Sequence, residues 1–163
     1  MSIGRALVLT ISDSASAGRR EDLSGPEAVR ILQEAGFEVA SAEVLPDERA
    51  QIEARLRRAS EEDFRLVVTS GGTGLSPRDV TPEATLAVSD RVVPGIPELM
   101  RLESLKITPK AALSRAAAGI RGSMLIINLP GSVKGVRECL AAVRPILAHA
   151  VEVLKQSSLG CGE

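Results

Sequence analysis

Short, nearly continuous apolar runs alternate along this chain with longer stretches whose apolar positions recur at helical spacing. Ala6-Leu7-Val8-Leu9-Thr10-Ile11 is the first such run. A strand that is apolar at almost every position is one covered on both faces, as in a parallel sheet between helices. Phe37–Leu45 and Phe64–Thr69 read as the second and third strands. Between the first two, Ser24-Gly25-Pro26-Glu27 has the form of a capping box, Ala28, Val29, Leu32 and Ala35 share one helical face, and Gly36 ends the helix. Between the second and third, Asp47 stands at the N-cap position of a helix with the buried stripe Ile52, Leu56 and Ala59.

Downstream, Thr81-Pro82 opens another helix, with proline at the first helical position. Gly95-Ile96-Pro97-Glu98 opens one that carries Leu99, Leu102 and Leu105, and Thr108-Pro109 starts a shorter turn. Ser114–Ile120 and Ser123–Asn128 read as strands joined by a tight hairpin at Arg121-Gly122, which predicts one antiparallel strand. Ser132 caps a last helical region with Val133, Val136, Leu140 and Val143 on one face; Pro145 is predicted to kink or restart it before Ile146, Leu147, Ala150, Val151 and Leu154. The alternation predicts an α/β fold with a mostly parallel sheet. With 163 residues and no linker or repeat, the chain is expected to form one domain over 1–163, with a flexible tail at 156–163.

Composition narrows the function. Twenty basic and 21 acidic residues leave a net charge of −1, and Phe37 and Phe64 are the only aromatics, so neither a nucleic-acid footprint nor a membrane-binding one is expected. Cys139 and Cys161 lack metal or redox spacing and fit a reducing compartment. Met1–Arg5 runs into the first strand without the pattern of a signal peptide, and no apolar run approaches the roughly 20 residues of a membrane span. The expectation is a cytoplasmic, soluble protein. His149 is the single histidine, far in sequence from the polar loops, which argues against Ser-His or Cys-His nucleophiles.

Ligands of open α/β sheets bind beyond the carboxyl ends of strands. Three strand ends deliver unusual segments: Ser12-Asp13-Ser14, Ser70-Gly71-Gly72-Thr73-Gly74 and Asn128-Leu129-Pro130-Gly131-Ser132. The second is the strongest signal. Its glycines leave N–H groups uncovered for an anion, Ser70 and Thr73 add hydroxyls, and it is neither a Walker A loop nor a dinucleotide fingerprint. In the third, Gly131 admits a ligand to a helix N-terminus, whose free N–H groups favour anions. Asp79 lies just beyond the glycines. A carboxylate and a phosphate about 4 Å apart repel by roughly 4 kcal/mol at an effective dielectric near 20, so Asp79 is useful there if a Mg2+ ion lies between them. The plain alternatives are an Arg78–Asp79 surface pair for Asp79 and a helix cap for Asp47.

The stretch from Thr69 to Ala84, TSGGTGLSPRDVTPEA, resembles the signature of the MogA/MoaB molybdenum-cofactor family. Leu45-Pro46-Asp47-Glu48, Ile126–Ser132, Ile11-Ser12-Asp13 and Ser24-Gly25-Pro26 are similar to that family in the same order, over about Leu7–Leu154. The resemblance implies a three-layer αβα sandwich, a homotrimer or dimer of trimers, and binding of molybdopterin, as in the G domain of gephyrin. It implies transfer of AMP from Mg-ATP to the molybdopterin phosphate with release of pyrophosphate. It assigns catalytic roles to Asp47 and Asp79, beside the reading of Asp79 as the Mg2+ ligand given above, and a ligand-turnover role to Ser123. The substrate-binding set is then Ser12, Asp13, Ser70, Gly71, Gly72, Thr73, Gly74, Ser123, Asn128, Pro130, Gly131 and Ser132. Two other functions stay open: a MoaB-type protein that binds molybdopterin without chemistry, and a nucleotide pyrophosphohydrolase like the related domain of competence-damage-type proteins.

Overall fold

The computed structural model describes residues 1–159, with side chains through Gln156. β1 (Arg5–Ile11), β4 (Leu66–Ser70) and β7 (Met124–Leu129) form the parallel centre of a mixed sheet. β2 (Glu38–Val39) and β3 (Glu43–Leu45) both pair with the outer side of β1. On the far side, β6 (Ala118–Arg121) runs antiparallel to both β7 and β5 (Arg91–Val92). Among the described residues the order is β2-β1-β4-β7-β6-β5, with β3 beside β1.

Alternation along the central strands divides the core in two. Ala6 and Val8 of β1 and Leu125 and Ile127 of β7 face α2 (Ser24–Glu34), α5 (Gly95–Leu105) and α6 (Val133–Leu159). Leu7, Leu9, Ile11 and Ile126 face α3 (Arg49–Glu61) and α4 (Thr81–Val88). The result is a three-layer αβα sandwich. Burying a side chain such as Leu140 or Ile127, each fully inaccessible, contributes about 1.5–3 kcal/mol. The expected stripe of Ile52, Leu56 and Ala59 is fully buried. Beside it Arg55 is 7% exposed and ties α3 to β3, its guanidinium donating to Glu43 at 2.6 and 2.9 Å and to Glu62 at 3.0 Å.

Several local expectations are corrected. The single strand expected at Phe37–Leu45 is two. Ala6 pairs with Val39 and Leu9 with Glu43, so the edge strand carries one residue more than β1 over the same length and bulges between the pieces. The capping box at Ser24–Glu27 does not form. Asp22 caps α2 instead, its Oδ1 accepting from the Gly25 N–H at 3.0 Å, while Glu27 pairs with Arg30 and Arg137. α5 buries Ile96, Pro97 and Met100, whereas Leu102 and Leu105 are exposed, because a helix this apolar offers two faces and packing selects one. Arg121 pairs with Met124, so the hairpin turns at Gly122-Ser123, one residue later than expected. α6 continues through Pro145 and on to Leu159, so 156–159 of the tail expected to be flexible are helical; 160–163, with Cys161, lie outside the described residues. No described helix is long and apolar enough to cross a membrane.

Candidate functional site

Since β1, β4 and β7 are parallel, their carboxyl ends deliver Ser12-Asp13, Ser70–Gly74 and Pro130–Ser132 to one edge of the sheet. β3 ends beside β1 and brings Asp47 to the same edge. There Ser12, Asp47, Ser70, Gly71, Gly72, Asp79, Gly131 and Ser132 line a polar cavity of about 430 Å3. Asp47 and Asp79 therefore stand over one loop.

Asp47 is not a helix cap. Glu48 occupies the N-cap position of α3, and the Asp47 carboxylate accepts from the Asp13 N–H at 3.0 Å through Oδ2. Asp13 answers in kind, its Oδ1 accepting from the Asp47 N–H at 3.0 Å. Arg78 straps this pair from outside, donating to Asp13 at 3.0 and 2.9 Å and to Glu48 at 3.0 Å. The alternative of an Arg78–Asp79 surface pair does not form; Arg78 pairs instead with the loops after β1 and β3. The guanidinium of Arg78 holds the Asp13 carboxyl below its ordinary range. Asp47 moves the other way, pushed up chiefly by burial; the bond from the Asp13 N–H opposes this, and the charges of Asp13 and Asp79 add to it.

The glycines explain how two carboxylates come so close to the loop. Gly71 and Gly72 hold φ of +102° and +69°, left-handed conformations that glycine adopts without strain. A methyl group on Gly72 would collide with Thr81 Oγ1 and lie 3.1 Å from Asp47 Oδ1. One on Gly74 would lie 2.9 Å from Asp79 Oδ2. Asp79 is held from below, its Oδ2 accepting from the Ser76 N–H at 3.1 Å.

A second cavity, of about 370 Å3, opens on the other side of the loop. Thr73, Gly74 and Pro130 line it, with Met100, Ile107 and Leu113 giving an apolar lining and Lys110 and Lys134 standing at it. Ser132 borders both cavities. Its hydroxyl caps α6 by accepting from the Gly135 N–H at 3.0 Å, as the sequence predicts.

Not every expected residue reaches these cavities. Asn128 is fully buried and consumed by the fold: its amide donates to Thr69 at 3.0 Å and Thr85 at 2.8 Å, and its oxygen accepts from the Ala117 N–H at 3.1 Å. Ser123 sits in the β6–β7 turn, at the opposite end of β7 from Pro130, bonded to Arg65. Ser70 lines the polar cavity but is fully buried, its hydroxyl lying 2.9 Å from Ser24 Oγ and 3.0 Å from the Pro130 carbonyl. His149 is exposed on α6, and Lys134 pairs with Glu138 at 3.8 Å.

Three residues escape sequence reasoning. Asp22 accepts from Thr10 at 2.8 Å and lines the polar cavity; an aspartate just before a helix start is a signal that could have found it. Arg115 has no such signal. Its guanidinium donates to the carbonyls of Gly74 at 2.8 Å and Asp79 at 2.7 Å and to Glu83, while its own N–H donates to the Thr73 carbonyl at 2.9 Å. It thus pins both ends of the segment from Thr73 to Asp79, turning those carbonyls toward itself. Thr81, which opens α4 behind Gly72, is the third.

Among the described residues no three His, Cys, Asp or Glu side chains converge as a self-contained metal centre. A cation at this site would take its remaining oxygens from a phosphorylated ligand, the way Mg2+ is commonly held.

Residues 7–149 match the family model described as "probable molybdopterin binding domain". The chain is 48% identical over 150 residues to a molybdopterin adenylyltransferase of Helicobacter pylori strain J99, covering 90% of this chain and 85% of that one. It is 44% identical over 148 residues to a molybdopterin adenylyltransferase of Escherichia coli K12, covering 88% and 75%. In structure it is similar to the molybdopterin biosynthesis enzyme MoaB of Thermus thermophilus, with a TM-score of 0.88 and 50% identity over 94% of this chain and 97% of that one.

Proposed function

This chain belongs to the MogA/MoaB family of molybdopterin-binding domains, and from that premise we propose that it is a molybdopterin adenylyltransferase that uses the two cavities beside its glycine loop for two substrates. The polar cavity, with Asp47 and Asp79, takes the triphosphate of ATP. The apolar cavity takes the flat ring of the pterin, and the pterin phosphate meets the nucleotide at the loop between them. The observation that carries this reading is the approach of both carboxylates to Gly72 and Gly74, where any side chain would displace them.

The chemistry asks little proton transfer of the protein. A phosphate oxygen of the pterin attacks the α-phosphorus of ATP; as that bond forms, the bond to the bridging oxygen breaks and pyrophosphate leaves. The nucleophile is already an anion, so no base is needed, and catalysis consists of aligning polyanions and balancing their charge. Mg2+ fits the donor set, hard carboxylate oxygens over a cradle that a Cβ would fill, and when bound it neutralises phosphate charge. Asp79 is its proposed ligand. Asp47 orients the nucleotide, and the Gly72–Gly74 backbone and the N-terminus of α6 offer N–H groups to phosphate oxygens, the Gly71 N–H being taken by the Leu129 carbonyl.

We further read the protein as cytoplasmic and as a homotrimer, the assembly implied by the family resemblance. Exposed Leu102 and Leu105 on α5 offer apolar surface for such contacts. The deciding assay follows pyrophosphate release from the protein with molybdopterin, ATP and Mg2+. Release that depends on both substrates is expected; pterin binding without release would leave a carrier rather than an enzyme.

A further inference from the structure

Thr81 carries the one buried side-chain oxygen that makes no hydrogen bond among the described residues. The residue is fully inaccessible, and its N–H donates to the Gly72 carbonyl at 3.1 Å, which fixes it directly behind the glycine loop. Its hydroxyl points at the space over the Gly72 α-carbon, where a side chain would strike it. Asp47 Oδ1 faces the same space, 3.1 Å from where that side chain would begin. Two oxygens from different elements thus look into one gap, while the other oxygen of Asp47 is already engaged by Asp13.

A hydroxyl shut away from water without an acceptor weakens a fold, and valine would fill the same volume without that defect. An unpartnered buried hydroxyl beside a binding cavity calls for a partner that belongs to the working site. We propose that Thr81 is a positioning residue: when the cavity takes up a nucleotide with its divalent cation, the Thr81 hydroxyl donates to Asp47 Oδ1 across the gap at Gly72 and holds that carboxylate in its working orientation. The bond is available to a hydroxyl alone, since a carboxylate can only accept, and bonds to charged acceptors are shorter and stronger than neutral ones. Both oxygens border the space that a Cβ on Gly72 would occupy, so the bond forms when Asp47 Oδ1 turns into that space. The inference rests on the reading of the polar cavity as a cation–nucleotide site.

The test compares Thr81→Val and Thr81→Ser with the parent protein in two measurements that need no turnover. One is the thermal midpoint without ligands. The other is the affinity for Mn2+–ATP, followed by the paramagnetic resonance of free Mn2+. Thr81→Val is expected to melt at or above the parent temperature yet bind Mn2+–ATP about 10–100-fold more weakly, the loss expected when a hydrogen bond to a charged group is removed. Thr81→Ser is expected to restore binding. Unchanged affinity in Thr81→Val, no recovery in Thr81→Ser, or a fall in the melting temperature that parallels the affinity would each overturn the proposal. A parent protein that does not bind Mn2+–ATP would overturn the cavity's assignment itself, and this proposal with it.

Discussion

Asp47 and Asp79 hold similar places over the loop under different constraints. Asp47 is half-buried and its carboxyl is raised, chiefly by burial. A raised carboxyl favours the protonated form in the folded state, so ionising it at neutral pH works against folding. Asp47→Asn is therefore expected to lose turnover while melting higher than the parent at pH 7. The difference should vanish in acid, below the ordinary aspartate range, widen as pH rises through the raised value, and stay constant above it. Melting curves across that range check the sign. Asp79→Asn is expected to abolish pyrophosphate release and spare pterin binding, measured by ligand fluorescence; normal release would remove Asp79 from the mechanism. Legibility at this scale follows locality. The glycines and Asp79 are readable because their chemistry lies within ten consecutive residues. Asn128 is not, because the partners that consume it, Thr69 and Thr85, come from two other elements. Arg115 is hidden for the same reason, joined to a loop some 40 residues earlier.

Among the elements, the central strands declare themselves by continuous apolar runs, since both their faces are covered. The short edge pieces do not: β5 has two exposed residues, and the break between β2 and β3 follows from a register mismatch with β1 that no single segment records. α6 is the instructive case. Pro145 lies inside a helix that continues unbroken past it, although proline removes one backbone donor and crowds the preceding turn. The packing of Val143, Leu147 and Val151 against the sheet, each 1% exposed or less, keeps the helix whole. Pro145 itself is exposed, so Pro145→Ala is expected to stabilise the protein by about 1–3 kcal/mol, read as an increased denaturant midpoint at unchanged slope.

For the whole molecule, the mostly parallel α/β sheet with one reversed strand is foreseeable from the order of patterns, and so is the edge that bears the site; the three layers are implied by the family resemblance. The apolar cavity is not foreseeable. It is bounded by α5, the turn at Pro109–Leu113 and the start of α6, none of which carries a local mark of ligand binding. Assembly belongs to this scale too. If the exposed leucines of α5 join copies of the chain, sedimentation is expected to give three times the chain mass for the parent and a single-chain mass for Leu102→Glu; a parent that sediments as one chain would refute the trimer.

The Gly71–Gly74 segment borders both chambers, Gly71 and Gly72 lining the polar one and Thr73 and Gly74 the apolar one. A ligand lodged on the greasy side is therefore expected to bear on the acids of the wet side through that shared stretch of loop.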